Sequence, residues 1–287
     1  MTKYMVEAKV VGQYMLNAAT KQIDLIAPEI AREALPGQFV NVQVTKHTAP
    51  LLRRPLGVAA VNPEEGTISL MYRIIGEATK MLAEVCSGDT LNLLGPLGHG
   101  FALSAKRPLL IGGGLGLAPL FYLATAFKQR AKGESLPVAL QQALEEADAV
   151  KLSDGTNNAL PQEAAVLMGG RTAEDLFWQD IYRDVCPQQY LTTDNGSLGI
   201  RGTVLAKLPD LLAAGRYDCA YVCGPVPMMK AVAAACQAAN LPCQVSLERY
   251  MACGLGACLS CSCGGVGKRL KVCTDGPVFW AQEVAEW

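Results

Sequence analysis

Four cysteines near the C-terminus, Cys253, Cys258, Cys261 and Cys273, follow the spacing C-x4-C-x2-C-x11-C. That is the thiolate spacing of a plant-type [2Fe–2S] centre, compressed into a short tail. Such a centre moves electrons one at a time, so electron transfer is the chemistry to expect. A structural zinc site is the competing reading, although such sites usually present paired C-x2-C knuckles. The loop from Met251 to Cys258 (MACGLGAC) is rich in Gly and Ala, and small residues let backbone N–H groups crowd sulfur and tune its potential. Cys263 lies two residues beyond Cys261, so in an extended segment the two side chains point the same way; it is not counted as a ligand.

Other stretches have the residue types that bind nucleotides. Gly112 to Pro119 (GGGLGLAP) follows an apolar run and opens a helical one. There Gly113, Gly114 and Gly116 would let backbone approach a pyrophosphate at a helix N-terminus, and Pro119 suits a first helical turn. A bland glycine turn fits equally well. Cys223-Gly224-Pro225 closes the last apolar strand, where ligands gather on a parallel sheet. Arg53-Arg54-Pro55-Leu56-Gly57 sets an arginine before a fixed-φ proline, a clamp suited to a diphosphate. Two solvated arginines beside a turn are the plainer alternative. Tyr72-Arg73 and Ala78-Thr79 offer a further arginine and a hydroxyl at a helix head, or merely a strand end and a helix cap. His99, in the glycine-rich Gly95–Phe101 stretch, reads as structural, and no Ser/His/Asp set, acid pair or His-rich metal site supports hydrolysis.

The elements that must position these residues change character along the chain. Up to about residue 102, six β-rich runs separated by turn signals predict a small closed antiparallel barrel, with one helix over Glu77–Val85. From about Lys106 strands alternate with helices, as in a parallel sheet covered on both faces. TAEDLFWQDIYRD is expected to be one of those helices. The polar segment Leu140–Gln162 fits no unit and is expected to be an extra helix or surface excursion. The expected fold is therefore a β barrel plus an α/β domain and a short cluster-binding tail, divided at 1–102, 103–245 and 246–287.

With 287 residues, a net charge of −1 and no extended basic run, the chain has no feature of a nucleic-acid or membrane-surface binder. Its N-terminus lacks the signature of a signal peptide, and eleven Cys argue for metal or redox chemistry in a cytosolic setting. Pro108–Phe127 has the length of a membrane span without a charge, but four clustered glycines and Pro119 predict a strand–turn–helix instead.

In this order, the pieces resemble the ferredoxin reductase superfamily: a flavin-binding barrel followed by a nicotinamide-binding sheet domain. R-P-L-G resembles its R-x-[YFLI]-[ST] flavin motif, Gly95–Phe101 its G-P-x-G-x-x-F linker, and GGGLGLAP and CGP its nicotinamide site. With C-G-x-G-x-C-x-x-C and V-C-x-D-G-P-V-F in the tail, the chain is most similar to the electron-transfer subunits of NAD-linked bacterial dihydroorotate dehydrogenases. The resemblance implies FAD contacts from Arg54, Pro55, Leu56, Gly57, Met71, Tyr72 and Arg73, with Ala78 and Thr79 at the diphosphate. It further implies NAD as co-substrate and a cluster held by Cys253, Cys258, Cys261 and Cys273. The implied relay runs from dihydroorotate through a partner FMN subunit to the cluster, FAD and NAD⁺, in a two-plus-two heterotetramer of pyrimidine biosynthesis. Two positions depart from the pattern: Gly57 where Ser or Thr is usual, and Ala78 where Gly is usual. The nearest alternative is the small flavin subunit of an NADH-dependent ferredoxin:NADP⁺ oxidoreductase. A monooxygenase reductase fits less well, and a flavin-free carrier is the non-enzymatic alternative. NADH against NADPH stays open, since Gly170-Arg171-Thr172 offers an arginine but no defined ribose pocket.

Overall fold

The computed structural model describes residues 2–45, 47–151 and 162–287. The expected barrel and sheet are both present. β1 (Tyr4–Met15), β2 (Thr20–Ile26), β3 (Phe39–Gln43), β4 (Arg54–Asn62), β5 (Thr67–Arg73) and β6 (Thr90–Leu97) close an antiparallel barrel in the order β1-β2-β5-β4-β3-β6. Closure leaves no unpaired edge. Period-two patterning explains its core: Ala8 and Val10, Ile23 and Leu25, Val40 and Val42, and Ile68, Leu70 and Tyr72 point inward together. The helix expected at Glu77–Val85 is α2 (Glu77–Ala83), which follows β5. A short helix that the sequence did not foretell, α1 (Pro28–Glu33), buries only Ile30 and Ala31, too little to print a helical period.

The second half is a seven-stranded sheet. It comprises β7 (Pro108–Gly113), β8 (Ala165–Gly170), β9 (Gln188–Thr193), β10 (Ile200–Arg201), β11 (Cys219–Cys223), β12 (Cys243–Ser246) and, from the tail, β15 (Val278–Trp280). The order is β10-β9-β8-β7-β11-β12-β15, parallel except for antiparallel β15. The connections run to one side of β7 and then resume at β11, so the order reverses between β7 and β11. Open sheets bind ligands at the strand C-termini beside such a reversal. The run that imitated a membrane span splits into fully buried β7, a 3₁₀ turn at Gly114–Gly116 and α3 (Leu117–Lys132), capped by left-handed Gly133. Among the described residues no helix is long and apolar enough to cross a membrane.

α4 (Val138–Lys151) occupies part of the segment that fitted no unit; residues 152–161 lie outside the described residues. The TAEDLFWQDIYRD run is a 3₁₀ turn plus the short α5 (Trp178–Tyr182), rather than one helix. Its bulky residues Leu176, Trp178 and Tyr182 are buried, and Tyr182 anchors the turn through a hydrogen bond of 2.6 Å from its hydroxyl to the Leu117 carbonyl. α6 (Leu208–Ala213) and α7 (Val226–Ala238) cover the sheet further along. The tail adds a hairpin, β13 (Ser262–Gly265) with β14 (Lys268–Lys271), before it returns as β15. It is thus stitched back into the sheet, and His99 N–H donates to Gly276 O at 2.6 Å, tying the barrel–sheet linker to it as well.

Candidate functional site: an inter-domain cleft and a cysteine tail

A cleft of about 280 Å³ lies where the barrel, the sheet and the start of the tail converge. The barrel supplies Arg54, Pro55, Leu56, Gly57, Met71, Tyr72, Arg73 and Thr79 to its walls; the sheet domain supplies Leu115, Ala118, Pro119 and Cys223; the end of β12 and the segment after it supply Ser246 to Arg249 and Met251. A second hollow of about 490 Å³ continues past Arg54, Pro55, Ile75 and Thr79 to Ala78, Tyr250 and Ser260. Together they form an elongated site with apolar walls, lined by Arg54, Arg73 and Arg249, with Arg53 also bordering the second hollow. Its length, apolar floor and positive charge fit a planar ring joined to a diphosphate.

The two arginines beside Pro55 separate in role. Arg53 is turned across the barrel, where its guanidinium donates to Asn41 O (3.3 Å), Asn92 O (3.0 Å), Gln43 Oε1 (3.2 Å) and the Asn92 side-chain oxygen. Burial lowers its pKa from the usual arginine value. Arg53 is therefore a pin between strands, not a solvated residue. Arg54 lies along the cleft and is steadied by the Leu52 carbonyl at 2.6 Å. Alternation divides the next strand similarly. Tyr72 sends its ring into the barrel and its hydroxyl to Gln13 Oε1 at 2.9 Å, so what it gives the cleft is backbone. The Thr79 hydroxyl accepts from Ile75 N–H (3.0 Å) and Gly76 N–H (3.1 Å), closing the first turn of α2.

Gly113, Gly114, Gly116, Gly224 and Pro225 do not line the cleft. Gly113 and Gly116 serve close approach: a Cβ on Gly116 would strike the Cys223 carbonyl, and one on Gly113 would lie 2.8 Å from Met228 Sδ and 3.1 Å from Pro225, whereas Gly114, in open space, supplies the positive φ of the turn (+57). Gly224 has φ +151, a conformation other residues avoid. These glycines bring the β7 and β11 ends together and leave Leu115, Ala118, Pro119 and Cys223 facing the cleft. Cys223 is buried and its thiol pKa is raised, first by desolvation and then by the nearby charge of Glu248. Glu248 itself meets solvent at the cleft mouth, but crowding by protein raises its carboxyl pKa. A Cβ placed on Gly57 would lie 3.7 Å from Pro119 Cβ, an ordinary contact, so the site has room for at least that atom.

Sequence reading missed Ser246 to Met251. The signal was available: these residues begin at the last residue of β12, whose C-terminal end lies beside that of β11, where the rule already applied to Cys223 holds equally.

In the tail the four cysteines gather as two contacting pairs. Cys258 meets Cys253, and the buried thiols of Cys261 and Cys273 meet each other, with Cys253 close to Cys273 as well. The Ser260 hydroxyl, 3.2 Å from Cys258 Sγ, is the main reason that this exposed thiol is pulled down to about 6. Leu255 N–H lies 3.3 Å from Cys253 Sγ. Cys273 is pushed up to about 11, by burial first and the Cys261 thiol second. Among the described residues no three His, Cys, Asp or Glu groups converge as a single ion requires. Two thiol pairs side by side instead suit a two-iron centre with two thiolates per iron. Cys263 is buried opposite Leu270 in the hairpin.

An antiparallel barrel joined to a parallel sheet, with an apolar, arginine-lined cleft at the sheet's reversal point, defines a ferredoxin reductase-type oxidoreductase. A solved structure of an NADH-dependent reduced ferredoxin–NADP oxidoreductase superposes with a TM-score of 0.78 at 27% identity, covering 98% of this chain and 90% of that one. A ferredoxin–NADP⁺ reductase from Neisseria gonorrhoeae with bound FAD and NADP shares the fold at a TM-score of 0.57 and 16% identity, over 82% of this chain and 92% of that one. Residues 248–285 match the model of the iron–sulfur cluster binding domain of dihydroorotate dehydrogenase B. The dihydroorotate dehydrogenase B (NAD⁺) electron transfer subunit of Desulforamulus reducens is 33% identical over 284 residues, 97% of each chain. That of Geobacillus thermodenitrificans is 36% identical over 282 residues, 96% of each. The chain belongs to the family of dihydroorotate dehydrogenase B electron transfer subunits.

Proposed function

We propose that this chain is the electron-transfer subunit of an NAD⁺-linked dihydroorotate dehydrogenase, joined to a separate FMN-containing catalytic subunit in a two-plus-two assembly in the cytosol. The observation that carries the reading is the adjacency of the basic, apolar-floored cleft to the paired thiols of the tail. When bound, FAD in the cleft and a [2Fe–2S] cluster in the tail supply the exchange between two-electron and one-electron carriers. Arg54 and Arg249 hold a diphosphate; Pro55, Leu56, Gly57, Met71 and the backbone at Tyr72–Arg73 wall the ring; Ala78 and Thr79 close the far end. Leu115, Ala118, Pro119 and Cys223 form the face a nicotinamide enters. Cys253, Cys258, Cys261 and Cys273 are the cluster ligands, and the division at 1–102, 103–245 and 246–287 assigns one task to each part.

Two surface features support a partner and a reducing compartment. Ile75 and Tyr250 are 80% and 96% exposed around the outer hollow beside the cysteine loop, an apolar rim without a cover among the described residues. All eleven cysteines are free. The ferredoxin–NADP⁺ alternative shares the fold, but the curated relatives matched along nearly the whole chain carry the dihydroorotate dehydrogenase name.

The test is purification alone and with the catalytic subunit. The chain alone is expected to be yellow, to pass electrons from NADH to artificial acceptors, and to leave dihydroorotate untouched. With its partner it should couple dihydroorotate oxidation to NAD⁺ reduction. Dihydroorotate oxidation by the lone chain sinks the assignment.

A further inference from the structure

Asn41 is an anomaly among the buried polar residues. It sits in the middle of β3, 1% exposed, and neither its amide nitrogen nor its amide oxygen has a hydrogen-bond partner among the described residues. A buried carboxamide with nothing to bind is costly, and native folds rarely keep one without a reason. Its cross-strand neighbours are Pro55 and Leu94. An apolar residue would serve better there if packing were the only demand.

Strand alternation fixes where the amide points. Val40 and Val42 fill the barrel core, so Phe39 and Asn41 face outward, where Phe39 joins the core that also contains Met251, Cys261 and Cys273. The Asn41 nitrogen lies against Gly254: a Cβ at that position would collide with it, and Gly254 has φ +69. The amide is therefore pressed onto the residue that follows Cys253, in the loop whose Leu255 N–H already turns toward Cys253 Sγ. The Arg53 bond to the Asn41 carbonyl holds this part of β3 in register.

We propose that Asn41 Nδ2 donates a hydrogen bond to a sulfur of the cluster held by the Cys253 loop, and so raises that cluster's readiness to accept an electron. The inference rests on the cluster reading above and adds to it a donor from the barrel domain, forty-first in a chain whose ligands begin at residue 253. A donor aimed at sulfur stabilises the reduced state, which carries one more negative charge, more than the oxidised one. Removing it should lower the reduced-to-oxidised ratio at a fixed potential by up to roughly tenfold, since only the part of a charged hydrogen bond's strength that differs between the two states counts. For a one-electron couple that fold-change is about 59 mV.

The experiment uses the full chain loaded with FAD and iron. Asn41→Leu and Asn41→Ala are expected to keep wild-type FAD and iron content while an EPR-monitored titration moves to lower potential. Wild-type protein carrying ¹⁵N in its asparagine side chains should show a nitrogen coupling to the reduced cluster in pulsed EPR, lost in Asn41→Leu. An iron-replete wild type without that coupling overturns the proposal, as does an unchanged potential in an iron-replete variant. If both variants lose iron, the wild-type coupling alone decides: its presence supports the proposal and its absence overturns it. A wild-type chain that binds no iron overturns the cluster reading and the proposal together.

Discussion

The cleft takes its walls from stretches of chain scattered between Gly37 and Pro277, while the four tail thiols come from the single stretch Cys253–Cys273. The cleft residues stand on strand ends whose register is set by hydrogen-bonded ladders. Much of the tail is turn and loop, shaped by residues at positive φ such as Gly254, Gly256 and Leu259. A site built from many distant contributors weakens by degrees when one is removed. A site that needs every member of a set of four thiolates fails at once. The two regions meet in the segment from Glu248 to Met251, which lines the cleft and then runs into Cys253.

Cys258→Ala tests the all-or-none side and should have the largest effect. Iron and the reduced-state EPR signal are expected to fall to background, and coupling to the catalytic subunit should vanish. FAD absorbance should stay at its wild-type level. If flavin is lost along with iron, the two regions fold or load as one unit and the contrast fails. Arg54→Ala tests the graded side. Loss of one charge-assisted contact of about 1.5–3 kcal/mol weakens FAD binding roughly 10- to 100-fold, measured by titrating flavin into the apo-protein. Arg249 remains to hold part of the affinity, and iron content should not change.

The same contrast explains what the sequence made legible. The tail's ligand set is written as spacing, so C-x4-C-x2-C-x11-C could be read without any fold. The barrel and sheet were legible too, because period-two runs such as β2 and fully apolar runs such as β7 and β11 reflect one-sided and two-sided burial. The cleft was legible only in part. Nothing local to Arg53-Arg54 says that one guanidinium is pinned across the barrel and the other lies along the cleft; strand pairing across β3, β4 and β6 decides it. Nor does Tyr72 announce that its ring faces inward while Met71 packs toward α3. Asn41 was invisible for the same reason, since its significance lies in touching a glycine more than two hundred residues away.

The smallest effect is expected where the two regions join. Desolvation holds the Glu248 carboxyl above its usual range, so the native state binds that proton more tightly than the unfolded chain does. Stability from this group is therefore lost as pH rises from the ordinary carboxylate range through the raised native value, and is unaffected below both. Glu248→Gln removes the charge and its desolvation cost. At pH 7 the variant should melt above wild type, by about 1–2 °C because the group still meets solvent at the cleft mouth. In acid below the carboxylate range the two should melt together. A variant less stable than wild type at pH 7 would mean that the carboxylate is held by a partner in solution, with Arg249 or Arg54 the nearest cationic cleft residues in sequence and lining. Glu248 would then clamp the cleft to the tail, and the two regions would be coupled at this hinge rather than merely adjacent.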